Sequence, residues 1–326
     1  MKLSIVIPIY DELEDIDPLH AQITEILEEF EPDYEIIFSN DGSKDGSAEA
    51  LNRVAERDRR AKVIHLRRNF GQTAALMAGF NHASGDIVVA MDGDLQNDPK
   101  DIPRLVEEME KGFDVVSGWR VDRKEGPIRR LPSRIANWLI SRVTGVKLHD
   151  YGCTLKAYRR DALQGVYLYG EMHRFIPALV AWQGGTVTEL PVSHHARRHG
   201  VSKYGIDRTT RVILDLFVVH FLGRSVDRPI QLFGKAGIYS IAAAFLAGIW
   251  AVYLKYFEGV SFIQTPLPIL ITLLILVGLI FLLMGLLAEM QTRIYFETQK
   301  KSPYVIRATR NLSNYAGTDN PGSNHA

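Results

Sequence analysis

Two uncharged stretches near the C-terminus constrain this 326-residue chain more than any other feature. Ala236–Leu254 runs 19 residues without a charge, Gly259–Ala288 runs 30, and Ile269–Ala288 holds neither charge nor proline. At about 1.5 Å of rise per residue, either stretch can cross a hydrocarbon core of about 30 Å. Two buried core helices are the alternative, yet the run from Leu267 to Met284 lacks the polar face that a soluble helix turns to water. Residues 233–290 are therefore expected to form two transmembrane helices.

The flanks orient them. Arg224, Arg228 and Lys235 precede the first span, and Arg293, Lys300, Lys301, Arg307 and Arg310 follow the second, whereas the turn with Pro266 and Pro268 has only Lys255 and Glu258 beside it. Positive charge stays inside, so both termini are expected in the cytoplasm and the turn outside, which makes this a multi-pass protein of the inner or plasma membrane. Leu3–Tyr10 is too short for a signal peptide and leads into acidic sequence, so the front domain is expected to stay in the cytoplasm. Within 206–232, Ile206–Leu222 mixes Arg208, Arg211 and Asp215 with Val212, Ile213, Leu216, Phe217, Val219 and Phe221. It is expected as an amphipathic helix, lying among lipid headgroups or packed on the soluble domain. Residues 291–326 read as a cytoplasmic tail, disordered after Arg310.

Charge narrows the function. The chain has 38 basic and 38 acidic side chains, but residues 1–60 hold 16 Asp/Glu against 6 Lys/Arg, and residues 197–235 hold 8 Lys/Arg against 3 Asp. An acidic front half argues against nucleic acid as a partner, because phosphate binding needs clustered cations. One cysteine, Cys153, excludes an internal disulfide and a cysteine-based zinc site.

Residues 1–205 alternate. Leu3–Ile9, Tyr34–Ser39, Lys62–Leu66 and Asp86–Met91 read as short β-branched or apolar strands. Between and after them, Asp15–Phe30, Ser47–Asp58, Gln72–His82 and Pro99–Lys111 carry helical periodicity. This is an α/β pattern, with a parallel sheet, helices on both faces and a ligand site at the carboxyl ends of the strands. Pro8–Glu12, Asn40–Ser43 and Asp92–Gln96 fall at such ends. Neither a Gly-x-Gly-x-x-Gly loop nor a Gly-Lys-Ser/Thr loop is present to cradle phosphate. A divalent cation would serve instead. Along an extended segment Asp92, Asp94 and Gln96 share one side, offering hard oxygen ligands to Mg²⁺ or Mn²⁺ and a diphosphate; a solvated turn or helix cap is the competing reading.

Six motifs in order, Ile-Val-Ile-Pro8-Ile-Tyr10-Asp-Glu12, Asn40-Asp41-Gly-Ser43, Arg68-Asn69-Phe-Gly71-Gln72, Asp92-Gly-Asp94-Leu-Gln96, Asp150-Tyr-Gly-Cys153 and Arg197-Arg-His-Gly200-Val-Ser202-Lys203-Tyr204, resemble those of family two glycosyltransferases with the GT-A fold. Within that family the chain is similar, over roughly residues 3–310, to the polyprenyl-phosphate glycosyltransferases. Asp11 stands where the family usually has Asn, and Asn40 where many members have Asp.

The resemblance implies that Pro8, Tyr10, Glu12 and Asp41 hold the base and ribose of a nucleotide sugar, joined by Asp92, Gly93, Arg120, Arg197 and Lys203. It places the metal on Asp92, Asp94 and Gln96, and makes Asp150 the catalytic carboxylate. The residues by themselves leave other readings open: a strand-to-helix turn at Pro8–Glu12, a solvated charge at Arg120, a flexible loop at Gly200–Tyr204, a cap at Asp150. His194 and His195 are neighbours on an extended segment and point to opposite sides, which disfavours zinc; His194 is expected to line the site and Cys153 to pack.

The implied reaction is inverting transfer of one sugar, with UDP-glucose the leading donor, to a polyprenyl (undecaprenyl) phosphate at the membrane. A phosphate monoester is already mostly dianionic at neutral pH, so no strong general base is needed. Asp150 would orient the acceptor or steady positive charge at the anomeric carbon. A processive polysaccharide synthase and a membrane-anchored nucleotide sensor are the rivals, and the Gln-x-x-Arg-Trp motif of the former is missing. Whether the chain forms a homo-oligomer is left open.

Overall fold

The computed structural model describes residues 1–30, 33–121, 137–138, 140–142, 144–166, 168, 172–196, 229–298 and 303–312. The chain divides into two compact units, Met1–Leu216 with Ser302–Ala326, and Phe217–Lys301.

The first unit is built on one sheet. Its parallel centre consists of β1 (Lys2–Ile9), β2 (Asp33–Asn40), β3 (Ala61–Leu66) and β4 (Ile87–Ala90). The helices between and after them are α1 (Leu13–Phe30), α2 (Ser47–Arg57), α3 (Gln72–His82) and α4 (Asp101–Glu110). Helices on both faces bury the strands on both sides, which is why Leu3–Ile7 of β1 and all of β4 are buried at every position rather than at alternate ones. One core gathers Leu3, Ile5, Ile7 and Ile9 of β1 with Ile16, Leu19 and Ile23 of α1 and Leu105 and Met109 of α4.

The sheet is mixed rather than wholly parallel. Beyond α4 the chain adds β5 (Val115–Arg120), β6 (Lys156–Arg159), α5 (Ile176–Trp182) and β7 (Val187–Val192). Strand β6 slots antiparallel between β4 and β5, and β7 runs parallel to β5 on the outer edge. At the other edge β8 (Ile306–Arg310) pairs antiparallel with β3. Residues read from the sequence as tail thus close the sheet, in the order β7-β5-β6-β4-β1-β2-β3-β8. Asn311 fastens this strand by donating to the carbonyls of Ala55 (2.6 Å) and Ala61 (2.9 Å).

Strands β1 and β4 pair only from Leu3–Ile87 to Val6–Ala90, with the Met91 N–H reaching the Val6 carbonyl at 3.1 Å. Pro8 lies on the same side of β1 two residues later, where β4 has already turned away, so its missing N–H leaves no ladder bond unmade. The strand order reverses direction at β1, between β4 and β2, which is where open α/β sheets place a ligand.

The second unit is a hairpin of α6 (Pro229–Phe257) and α7 (Leu267–Thr298). Phe233–Phe257 and Leu267–Ala288 are long and apolar enough to cross a membrane. Their outer faces expose Phe245, Leu246, Leu273, Leu279 and Leu287, surface that water would not tolerate and lipid does. The helices touch closely at Gly237 and Gly278, where a Cβ on Gly237 would lie 2.8 Å from the Gly278 carbonyl oxygen. Ser240 Oγ donates to the Leu274 carbonyl across the same seam at 2.8 Å. The expected segment 206–222 lies outside the described residues.

Candidate active site

The site forms where the carboxyl ends of β1, β2, β4 and β5 leave the sheet. Tyr10, Asp11 and Glu12 connect β1 to α1. Asp11 has a left-handed φ of 50°, a conformation that Asp and Asn adopt more readily than most residues. This connection is stapled to the one after β2: the Asp11 N–H donates to Ser43 Oγ (3.0 Å), the Lys44 N–H to Asp11 Oδ1 (2.7 Å) and the Glu12 N–H to Ser47 Oγ (3.3 Å).

Asp41, expected on the nucleotide, is buried and accepts the N–H groups of Phe70 and Gly71 at 2.7 and 2.8 Å. Burial raises its pKa against those two bonds. Its first task here is to fold the turn after β3 over the turn after β2. Gly42, with φ 69°, lies under that contact, and a Cβ there would fall 2.5 Å from the Arg68 carbonyl carbon.

The acidic turn after β4 departs from the expected geometry. Leu95 has a left-handed φ of 56°, so the alternation of an extended segment is broken between Asp94 and Gln96. The Gln96 amide turns to the His195 carbonyl at 3.4 Å, while the Gln96 N–H donates to Asp94 Oδ1 at 3.2 Å. The expectation that Gln96 completes a metal site on the side of Asp92 and Asp94 loses its geometric basis. Asp92 and Asp94 precede Leu95 and are near enough for the charge of Asp94 to act on Asp92. Gly93 brings the turn against β1, since a Cβ there would meet Ile9 Cδ1 at 2.4 Å. Asp92 accepts from Gln72 Nε2 at 2.7 Å, and burial followed by the charge of Asp94 raises its pKa to about 6. A buried carboxylate whose charge is opposed by burial and by a second carboxylate beside it fits a divalent cation, which would favour the charged form of Asp92. Among the described residues no group of three or more His, Cys, Asp or Glu gathers to enclose a metal; Mg²⁺ and Mn²⁺ sites that lean on a substrate diphosphate need only one or two carboxylates.

Arg120 and Asp150, expected on a phosphate and at the reaction centre, meet each other. The guanidinium donates through Nε to Asp150 Oδ2 (2.7 Å) and through Nη2 to Oδ1 (3.1 Å), and Oδ1 also accepts the Gly152 N–H at 3.1 Å. Burial works against the Arg120 charge, but the Asp150 carboxylate outweighs it and raises the pKa above that of a free arginine. This pairing uses Nε and Nη2, so a phosphate would be met at the Nη1 side of the fork.

Lys156, not singled out in the sequence, is fully buried beneath this pair. Its ammonium donates to the carbonyls of Tyr151 (3.2 Å) and Cys153, fastening the Asp150-Tyr-Gly-Cys turn, and burial pushes its pKa down to about 8. Nothing local in the sequence marks such a lysine, because its carbonyl partners are defined only once the turn is folded. Burial pushes the Cys153 thiol up to about 11, in keeping with a packing role. Beside the pair, Trp119 stacks on His149 at 4.3 Å, and His149 is bonded to Glu189. His194 bridges to Asn97 on the extended segment, and His195 Nε2 lies 3.1 Å from Asp98. Arg197 and Lys203 lie outside the described residues.

The model of "Glycosyl transferase family 2" matches residues 4–166. The chain is 43% identical over 312 residues to dodecaprenyl-phosphate galacturonate synthase of Rhizobium johnstonii, covering 94% of this chain and 92% of that one. It is 37% identical over 313 residues to undecaprenyl-phosphate 4-deoxy-4-formamido-L-arabinose transferase of Pseudomonas aeruginosa, covering 94% and 91%. Among solved structures, glucosyl-3-phosphoglycerate synthase of Mycobacterium tuberculosis in complex with Mn²⁺, UDP and phosphoglyceric acid superposes with a TM-score of 0.53 at 18% identity, covering 68% of this chain and 78% of that one. That likeness establishes the GT-A-like fold. With a family model over residues 4–166 and polyprenyl-phosphate enzymes aligned along nearly its whole length, the chain belongs to glycosyl transferase family 2 and is a glycosyltransferase of the polyprenyl-phosphate group.

Proposed function

We propose that this protein transfers one sugar, with inversion, from a UDP-sugar to the phosphate of a polyprenyl phosphate at the cytoplasmic face of a membrane. The observation that carries the reading is the crowding of Asp92 and Asp94 at the end of β4, on the same sheet edge as the Arg120–Asp150 pair. It provides for a cation and an arginine, the two kinds of charge that meet a leaving diphosphate. Asp92 and Asp94 would hold Mg²⁺ or Mn²⁺, which when bound neutralises charge on that leaving group.

The chain's own residues do the rest. Tyr10 and Glu12 bind the base and ribose, on a loop set by Ser43 and Ser47. Arg120, aimed by Asp150, meets phosphate, joined by Arg197 and Lys203. The acceptor phosphate is already dianionic at neutral pH and attacks without a base, so Asp150 is best used in holding Arg120 and steadying positive charge at the anomeric carbon. The membrane hairpin keeps this site near an acceptor whose headgroup stays at the interface. Its orientation, both ends cytoplasmic, is supported by the basic flanks and by β8, which follows the second span and still pairs with β3.

The relatives' names carry galacturonate and formamido-arabinose rather than the glucose expected from the sequence. UDP-galacturonate is therefore the first donor to test, followed by the formamido-arabinose donor and UDP-glucose. Purified protein, Mn²⁺ and undecaprenyl phosphate are incubated with each radiolabelled donor, and the lipid product is separated by thin-layer chromatography. A single-sugar lipid from one UDP donor is the expected result. Labelled chains of several sugars, or UDP binding without transfer to any lipid, would refute it.

A further inference from the structure

His65, at the end of β3, has no place in the mechanism above, yet it is buried at the end of a chain of hydrogen bonds that leads into the nucleotide loop. Asn40 Oδ1 accepts the Ser43 N–H at 3.0 Å, which leaves the Asn40 amide nitrogen to face His65 Nδ1 at 3.0 Å. Nδ1 must therefore accept, the ring proton sits on Nε2, and Nε2 donates to Asn52 Oδ1 on α2 at 3.1 Å. Arg310 Nε, on β8, donates to that same oxygen at 3.3 Å and so fixes which way the Asn52 amide points. On the other side, Ser43 Oγ accepts the Asp11 N–H between Tyr10 and Glu12. The ring is packed among β2, α2 and β8, and the charged groups that face it are Glu49 from α2 and Arg307 and Arg310 from β8. Burial first, and then Arg310, holds its pKa below the ordinary value against Glu49, so the ring stays neutral.

We propose that His65 is a positioning residue: as a neutral ring with its proton on Nε2, it holds Asn40 and Ser43, and through them the Tyr10–Glu12 loop, in the form that binds the nucleotide. This explains the amide at position 40. A carboxylate there would still accept from Ser43, but would offer His65 Nδ1 no proton, and only a ring protonated on Nδ1 could face it.

The inference rests on the nucleotide reading of Tyr10 and Glu12, and the test separates the two. UDP binding to the full-length protein in detergent, with Mn²⁺, is measured by calorimetry between about pH 6 and pH 9, alongside melting curves. His65→Leu is expected to weaken UDP binding about tenfold, the loss of a buried hydrogen bond or more. His65→Gln, whose amide can accept from Asn40 and donate to Asn52, is expected to bind UDP within about threefold of wild type. Asn40→Asp, nearly isosteric, is expected to make UDP affinity depend on pH, tighter on the acid side where a protonated His65 donates to the new carboxylate. A folded His65→Leu that binds UDP as wild type does would overturn the inference. So would an Asn40→Asp pH profile parallel to that of wild type, which decides the matter even if His65→Leu does not fold. Wild-type protein that melts cooperatively but binds no UDP would overturn the nucleotide reading itself, and this inference with it.

Discussion

If Arg120 and Asp150 act as one device, removing either should cost nearly as much as removing both. The guanidinium and carboxylate meet through two hydrogen bonds of 2.7 and 3.1 Å, with side chains 18% and 2% exposed. Charges about 4 Å apart interact by about 4 kcal/mol at an effective dielectric of about 20. Neutral substitutes retain part of the hydrogen bonding, so the coupling expected between Asp150→Asn and Arg120→Gln is about 2–3 kcal/mol, or about 30- to 150-fold in kcat/KM. The assay is transfer of radiolabelled sugar to undecaprenyl phosphate by wild type, both single variants and the double variant, across pH. Each single variant should lose about two orders of magnitude, and the double variant little more than the worse of them. A double-variant loss equal to the product of the single losses would show that the two residues act separately. Loss of a pH-dependent limb in Asp150→Asn alone would show that Asp150 takes a proton in the reaction.

Two further outcomes follow from buried charge. Asp94→Asn removes the like charge beside Asp92, so the Asp92 pKa should fall below about 6, and transfer and Mn²⁺ binding by electron paramagnetic resonance should both collapse; transfer that survives both this substitution and EDTA would exclude a metal on this pair. Lys156 titrates near 8 in the folded chain against 10.5 when exposed, so between those values the folded state sheds its proton first and stability rises with pH, by up to about 3 kcal/mol. Lys156→Met should flatten that alkaline rise in the melting temperature, and an unchanged slope would mean that the ammonium is not buried as described.

What could be read from the residues alone was local. Hydrophobic period and β-branched runs mark β1 to β4 and the helices α1 to α4 within a residue or two at most ends, because burial on a sheet or on a helix stripe writes itself into neighbouring positions. The hairpin of α6 and α7 is legible for the same reason, since a helix long and apolar enough to cross a membrane needs an uninterrupted composition over about 20 residues. The family, too, was carried by short motifs. Tertiary structure alone decided that the sheet is mixed, that residues 306–310 come back after the whole apolar hairpin to pair with β3, and that Asp41 folds a turn 29 residues away. It also drew the Gln96 side-chain amide to the His195 carbonyl, joined Arg120 to Asp150 across 30 residues, and buried Lys156 and His65 among carbonyls and amides. Each of these depends on contacts between segments distant in sequence. A hydrogen-bond partner supplied from a distant strand leaves no periodicity behind, and a single left-handed residue such as Leu95 redirects every side chain after it.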